Sequence, residues 1–250
     1  LPVFTPKTLD DKSLKEFQSL KPDVGILFAY GKRVPLSWLN TPLHGFINIH
    51  ASLLPRWRGA APIQRSLMNL DKETGISIMK INEKLDTGPV CNSYKIKITN
   101  YDNTETISEK LSLLAADKIV SNLDDILENK IEFKDQIHEE ATYASKIEKS
   151  EGKIDWNETA ERIIGKINGL YQNPGAFFIF KGERYKILKA EIGSNIGKSG
   201  EVLDDYLEIS CGNQKSIKVL EIQRQGKKVQ KINEFVLGSQ IKKGFNLNNA

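Results

Sequence analysis

Three side chains in this sequence are of types that can together assist the transfer of an acyl-type group to an amine: Asn48, His50 and Asp86. The Asn48 amide can donate a hydrogen bond to a carbonyl oxygen that becomes an oxyanion. The His50 imidazole can take or hold a proton near neutral pH, and the Asp86 carboxylate can orient that imidazole. An Asn-x-His pair can also be structural, and Asp86-Thr87-Gly88 can also be an ordinary turn.

The elements around these residues favour a site. Asn48 and His50 lie two residues apart on a strand predicted over 46–51, so their side chains share a face. The chain then enters a loop in which proline and glycine interrupt any regular element. Two arginines flank a tryptophan there, which predicts a stiff, cationic, aromatic binding loop. Its defining residues are Pro55, Arg56, Trp57, Arg58, Gly59 and Pro62.

Strands and helices alternate through the first part of the chain. A nearly continuous apolar run over 24–30 predicts a strand buried on both faces, as in a parallel sheet. Further strands are predicted over 46–51, 74–81 and 90–98, and an amphipathic helix over 104–129. This order predicts an α/β catalytic domain with a mainly parallel sheet over residues 1–133.

The pattern changes after a polar linker predicted over 134–150. A helix is predicted over 158–170, and the Asn173-Pro174-Gly175 turn signal follows it. Short strands at regular spacing then predict a small β-barrel domain over residues 151–250. These strands are predicted over 176–180, 185–192, 200–202, 207–211 and 217–223.

Composition restricts the classes of partner. The 250-residue chain carries a net charge of +4, and residues 181–250 hold 13 Lys and Arg against 8 Asp and Glu, or +5. A basic C-terminal part suggests a polyanionic partner, although on charge alone a lysine-rich solvated surface is the more common cause of such an excess. The two cysteines are far apart in sequence, which argues against a disulfide framework and fits a reducing cytoplasm. The chain has only three histidines, which argues against a metal site built from several of them. No apolar run approaches the ~20 residues of a membrane span.

Taken together, Asn48-Ile49-His50, the run over 52–63 and Leu85-Asp86-Thr87-Gly88 resemble the folate-dependent formyltransferases. The run over 56–64 is more particular to the branch that acts on aminoacylated tRNA. Other matching pieces follow in order along the chain, so the resemblance spans all of it. They are Ala29-Tyr30-Gly31, Glu73-Thr74-Gly75, Thr142-Tyr143-Ala144 with Lys146, Ile154-Asp155-Trp156, Pro174-Gly175-Ala176 and Gln225-Gly226-Lys227-Lys228.

The resemblance implies a Rossmann-like catalytic domain and a C-terminal OB-like barrel that holds tRNA. It implies a cytoplasmic enzyme of translation initiation that moves a formyl group from 10-formyltetrahydrofolate to the α-amino group of methionyl initiator tRNA. No metal is required, and we expect a monomer. Asn48, His50 and Asp86 match the catalytic triad of that family. The residues that match its folate-binding loop are Ser52, Leu53, Leu54 and Pro55.

Cationic side chains are the candidates for contacts with the anionic substrates. Arg56 and Arg58 are predicted to meet the tRNA acceptor end or the glutamate tail of folate, unless one of them pairs with a scaffold carboxylate. In the C-terminal domain, the predicted phosphate contacts are Arg224, Lys227, Lys228 and Lys231.

The family pattern also includes N-terminal strands and a basic loop that we expect to lie before Leu1. Three rival functions stay open. One is a formyltransferase for a nucleotide or an amino sugar, which the basic C-terminal domain and the Arg56-Trp57-Arg58 run argue against. Another is a non-catalytic RNA-binding protein, which the intact triad argues against. The third is a folate hydrolase, in which water replaces the amine and tRNA affinity has no purpose.

Overall fold

The computed structural model describes residues 3–31 and 33–248 of the chain. Contacts between Cα atoms divide the chain into two units, and each is interrupted in sequence. The first unit is made of Leu1–Pro62, Glu73–Lys97 and Glu109–Ser145. The second unit is made of Ile63–Lys72, Ile98–Ser108 and Lys146–Ala250.

The N-terminal elements alternate between helix and strand. The elements are α1 (Asp11–Ser19), β1 (Gly25–Leu27), α2 (Leu36–Leu39), β2 (Phe46–His50), β3 (Arg58–Gly59), α3 (Pro62–Met68), β4 (Glu73–Lys80), β5 (Val90–Lys97), α4 (Thr104–Leu127) and β6 (Tyr143–Ala144). A four-stranded sheet in the first unit has the order β1-β2-β4-β5, and β3 pairs with β6 in a small parallel ribbon.

The α/β class of the N-terminal part is confirmed, but its described sheet is mixed and not mainly parallel. Only β1 and β2 run parallel, whereas β2–β4 and β4–β5 are antiparallel. The connection over 81–89 is too short for the crossover that a parallel β4–β5 pair would need, so the two strands form a hairpin. β4 is buried along most of its length because it lies between β2 and β5 in this sheet.

The first strand is shorter and more exposed than the apolar run predicted. β1 covers three residues, and Ile26, Phe28 and Tyr30 are 42%, 48% and 42% exposed. Among the described residues, β1 lies at the end of the sheet and pairs only with β2. The expectation of burial on both faces is therefore wrong for this strand in the described structure.

The C-terminal elements form an antiparallel sheet preceded by a helix. The elements are α5 (Ala160–Gly169), β7 (Ala176–Phe180), β8 (Glu183–Gly193), β9 (Glu208–Ser210), β10 (Ser216–Arg224), β11 (Gln230–Lys231) and α6 (Ile232–Gly238). The strand order is β11-β10-β8-β7, and β9 also pairs with β10. Sequence periodicity predicted most of these elements to within two residues, but not β11 or α6.

This sheet stays open, so the predicted OB-like barrel is corrected to an antiparallel sheet without closure. β10 pairs with β8 on one side and divides its other side between β9 and β11. Within the described ranges, no ladder joins β7 to β9 or to β11. The predicted strand over 200–202 forms only isolated bridges.

A continuous apolar core stabilises the second unit. The helix α5 buries one face because its apolar residues recur at helical spacing, and Ile163 and Ile167 are fully buried. They join Trp156 and Phe178 in one cluster, in which the two ring centroids lie 6.0 Å apart. Fully buried aromatic residues contribute strongly to such cores because each removes a large apolar area from water.

Replacement of Trp156 by alanine is expected to destabilise the second unit by about 3–5 kcal/mol, since a cavity remains where the 1% exposed indole packs. Urea unfolding followed by circular dichroism measures this loss. Leu237→Ala is the control, because Leu237 is 88% exposed and its truncation should cost less than about 0.5 kcal/mol. Equal losses in the two variants would contradict the assigned core.

An ion pair in the second unit should make stability depend on pH. Arg65 donates two hydrogen bonds to Glu151, at 2.6 and 3.0 Å, and they lower the pKa of the Glu151 carboxyl below its ordinary 4.5. A carboxyl with a lowered pKa in the folded state stabilises the protein above its unfolded pKa, and this contribution is lost as pH falls through the folded pKa.

Glu151→Gln should therefore cost up to about 1 kcal/mol at pH 7 and progressively less below pH 4.5. Urea unfolding at pH 7 and near pH 3 compares the two conditions. Asp205→Asn, at an exposed position of the same unit, is the charge-matched control. A cost for Glu151→Gln that is the same at both pH values would contradict the assignment.

Candidate active site

The strand β2 presents Asn48 and His50 on one face of the sheet. Ile47 and Ile49 alternate with them, are 0% and 4% exposed, and anchor the strand on its other face. β2 is flanked by β1 and β4, which fixes its backbone on both sides. Asn48 is half-buried, and its side chain makes no hydrogen bond to any residue the structure describes, so its amide is available to a ligand.

Asp86 meets His50 although the two are far apart in sequence. Asp86 lies in the β4–β5 connection, and its Oδ2 is 3.6 Å from His50 Nδ1, an ion-pair distance that exceeds a hydrogen bond. The same oxygen accepts a 2.8 Å hydrogen bond from the Gly59 N–H. The two side chains are only 12% and 7% exposed. The structure thus brings together two of the three predicted catalytic residues and places the third on the same strand face as His50.

The second ring nitrogen of His50 also has an oxygen neighbour. His50 Nε2 lies 2.9 Å from the Trp57 carbonyl oxygen. A carbonyl can only accept, so Nε2 must carry the proton of this hydrogen bond. Nδ1 is then the nitrogen that faces the Asp86 carboxylate, and the two neighbours together fix the orientation of the ring.

Gln136, which belongs to the predicted linker over 134–150, holds the backbone around Asp86. Its Nε2 donates to the carbonyl oxygens of Asp86 and Gly88, at 2.9 and 2.7 Å. A Cβ at Gly88 would come within 1.9 Å of the Lys80 carbonyl oxygen, so only glycine fits there. No sequence signal marks Gln136, because it is separated by 50 residues from Asp86.

Arg58 is engaged inside this polar cluster. It is 2% exposed, and its Nε and Nη2 donate to Gln136 Oε1 at 3.0 and 2.7 Å. Its Nη2 also lies 3.0 Å from Nδ1 of His138. A buried guanidinium with these partners does not support the predicted contact with tRNA. Its principal partner is an amide and not the scaffold carboxylate that we considered as the alternative.

The predicted folate loop is held by buried hydroxyl groups. Ser52 is fully buried, and its hydroxyl donates to the Arg56 carbonyl at 2.6 Å. The Ser77 hydroxyl accepts from the Leu54 N–H at 3.0 Å and donates to the Ser52 carbonyl at 2.8 Å. The Ser52 side chain is thus committed to the shape of the loop, so the loop's other residues are better placed to touch a ligand.

Those other residues are partly exposed. Leu53, Leu54 and Pro55 are all half-buried, and Arg56 stacks over the Trp57 ring with its Cζ 4.6 Å from the ring centroid. Trp57 adopts a left-handed backbone with φ of 61°, and its N–H donates to the Thr142 hydroxyl at 2.9 Å. The loop therefore presents apolar and cationic surface on a fixed backbone.

The predicted basic residues of the second unit differ in their partners. Arg224 is bound by Glu183 through two hydrogen bonds of 2.5 and 2.7 Å, whereas Lys227, Lys228 and Lys231 are exposed. Together with aromatic side chains, Lys227 and Lys228 line a cleft of about 590 Å³. The other residues that line this cleft are Phe180, Lys181, Glu183, Tyr185, Arg224, Gln230, Glu234, Phe235, Gly238, Ser239 and Gln240.

Two kinds of site are not found in the part of the chain that the structure describes. No group of three or more His, Cys, Asp or Glu side chains is placed to hold a metal ion. No helix there is both long and apolar enough to cross a membrane.

Two family models match the chain and together cover most of it. The model described as formyl transferase matches residues 3–123. The model described as formyl transferase, C-terminal domain, matches residues 146–240. The matched ranges contain Asn48, His50 and Asp86 in the first and Lys227, Lys228 and Lys231 in the second.

Individual proteins and structures agree with these models. The methionyl-tRNA formyltransferase of Pelagibacter ubique is 66% identical over 249 residues, which are 98% of this chain and 80% of that protein. The enzyme of the same name from Thermodesulfovibrio yellowstonii is 41% identical over 98% of this chain and 80% of its own length. The structure of HypX from Aquifex aeolicus with tetrahydrofolic acid shares the fold, with a TM-score of 0.69 and 18% identity over 91% of this chain and 40% of that one. At these levels of identity and coverage, the chain belongs to the methionyl-tRNA formyltransferases of the formyl transferase family.

Proposed function

We propose that this protein transfers a formyl group from 10-formyltetrahydrofolate to the α-amino group of methionyl initiator tRNA. The observation that carries the proposal is the approach of the Asp86 carboxylate to His50, beside Asn48, in a chain 66% identical to a methionyl-tRNA formyltransferase. These residue types suit an acyl-type transfer, because the reaction needs donors for an oxyanion and a group that accepts a proton.

In the proposed reaction, the neutral amine of the methionyl ester attacks the formyl carbon and forms a new C–N bond. The carbonyl π electrons move to the oxygen and generate a tetrahedral oxyanion. The bond from carbon to N10 of the folate then breaks, and N10 takes up a proton while the amine loses one. The step exchanges one amide for another, so neither an oxidant nor a reductant is needed.

Asn48 and His50 are proposed to stabilise the oxyanion, the Asn48 amide by donating a hydrogen bond and a protonated His50 imidazole by its positive charge. Asp86 is proposed to orient His50 and to assist removal of the amine proton, directly or through water. The partial burial of His50 and Asp86 supports these roles, because charges interact more strongly where water is displaced.

The folate and the tRNA are proposed to bind to different parts of the chain. The loop of Ser52, Leu53, Leu54 and Pro55 binds the folate, with Ser52 supporting the backbone. Residues 151–250 form the tRNA-binding domain after a catalytic domain over 1–133 and a linker over 134–150. Lys227, Lys228 and Lys231 contact phosphates, since they are exposed in a basic part of the chain.

Arg56 and Arg224 remain proposed tRNA contacts, since both side chains are cationic and at least partly exposed. We propose that the protein acts as a monomer in the cytoplasm, where aminoacylated initiator tRNA is used.

An assay that offers the protein 10-formyltetrahydrofolate with methionyl-tRNA, an amino sugar nucleotide or no amine tests the proposed function. Formylation of the tRNA is expected, and deformylation without an amine acceptor would instead support the hydrolase.

Asn48→Ala, His50→Ala and Asp86→Ala should each lower kcat by roughly 10²–10³, the scale for loss of a preorganised donor or proton acceptor at an oxyanion. Single-turnover formylation with saturating substrates measures this loss. His44→Ala is the control, since His44 is a half-buried histidine of the first unit outside the site. Near-normal turnover in the three site variants would refute their assigned roles.

The double variant Lys227→Glu/Lys228→Glu should raise the KM for methionyl-tRNA without changing the KM for folate. Its tRNA binding should also depend less on salt, with a log–log slope smaller by about 1 for each lost phosphate contact. Binding measured between low and high salt tests this expectation. Lys12→Glu/Lys15→Glu on α1 is the charge-matched control, and an equal effect there would show a contribution from net charge alone.

A further inference from the structure

We infer that Gln136 is a positioning residue for this reaction: through the backbone of Asp86 and Gly88, it holds the Asp86 carboxylate against His50. The inference rests on the proposed function for its kinetic part and on the hydrogen bonds of the first unit for its structural part. Gln136 is 8% exposed and touches no reacting group, so it can act only through its neighbours.

All the hydrogen-bonding capacity of the Gln136 side chain is used. The two N–H groups donate to the carbonyl oxygens of Asp86 and Gly88, and the oxygen accepts twice from Arg58. This orientation is fixed by chemistry, because a guanidinium has no acceptor and a carbonyl has no donor. The buried Arg58 therefore turns the amide so that its donors face the Asp86 loop.

The loop needs this support because of its backbone. Asp86 has φ of 52°, a left-handed conformation that costs free energy for a residue with a Cβ. Two donors on the carbonyls at 86 and 88 hold the chain in that conformation. The Asp86 side chain then reaches the Gly59 N–H at 2.8 Å and His50 at 3.6 Å.

A glutamate at position 136 tests the two contacts of Gln136 separately, because it would keep the contact with Arg58 and lose the contact with the backbone of the Asp86 loop. A Gln136→Glu side chain keeps the size and would pair more strongly with Arg58. It would, however, place a carboxylate oxygen against two carbonyl oxygens and lose both donors to the loop. If Gln136 merely fills space or pairs with Arg58, this variant should behave like wild type.

Kinetics test whether Gln136 acts through Asp86. Gln136→Glu should lower kcat by about 10²-fold, the scale for a small misplacement of a reacting group, with little change in the KM for either substrate. In an Asp86→Ala background the same substitution should change kcat little, because the group that it positions is gone. An additive effect in the double variant, or an unchanged kcat in the single variant, would overturn the inference.

Hydrogen exchange tests the contact without the reaction. The Gly59 amide donates to Asp86 Oδ2, so its exchange rate should rise at least about tenfold in Gln136→Glu if that carboxylate is released. Gln18→Glu, the same change at an exposed site of the first unit, should leave the rate unaltered. An unchanged rate in Gln136→Glu would overturn the inference.

A second variant shows whether the effects of Gln136→Glu come from the lost donors and not from misfolding caused by the added charge. Gln136→Met has a similar size and no donors, and it should shift kcat and the Gly59 exchange rate in the same directions as Gln136→Glu. Wild-type protein that formylates no methionyl-tRNA would refute the proposed function, while the exchange rates would still decide whether Gln136 holds the loop. The two failures are thereby distinguishable.

Discussion

The hydrogen bond from the Gly59 N–H to Asp86 Oδ2 is the contact on which the geometry of the candidate site depends. It joins the loop that follows β2 to the connection between β4 and β5. The same oxygen, Oδ2, is the Asp86 atom that lies 3.6 Å from His50 Nδ1, so this hydrogen bond keeps the carboxylate beside the imidazole. Gly59 itself is fixed by pairing with Ala144, where a Cβ at position 59 would meet the Ala144 carbonyl at 2.6 Å. Three segments distant in sequence thus converge on one carboxylate.

A second set of hydrogen bonds fixes the start of the loop that follows His50. The buried Ser77 hydroxyl connects Ser52 and Leu54 and also lies 2.9 Å from the Ser93 hydroxyl. A buried polar group without a hydrogen-bond partner raises the free energy of the folded state. One small hydroxyl that bonds to several backbone groups avoids this in an irregular segment. The start of the predicted folate loop is therefore fixed by β4, a strand in which six consecutive residues are buried.

The sequence predicted the elements more reliably than their pairing. Alternation placed Asn48 and His50 on one strand face, and most strands of the C-terminal part lie within two residues of their predicted bounds, because side-chain periodicity is local. The direction of β4 and the open C-terminal sheet depend on connections and distant partners. The role of Arg58 was missed for the same reason, since its hydrogen bonds reach Gln136 and His138 about 80 residues further along the chain.

The segment from Gln136 to Ala144 illustrates how little polarity says about structural importance. It supplies the amide behind Asp86, the hydroxyl that anchors Trp57 and the partner strand of β3. Any excised catalytic fragment that ends before this segment would retain Asn48, His50 and Asp86 yet lose what arranges them. Addition of a peptide spanning 134–145 to such a fragment should thus restore the arrangement of the three side chains. The peptide would do so without supplying a reacting group of its own.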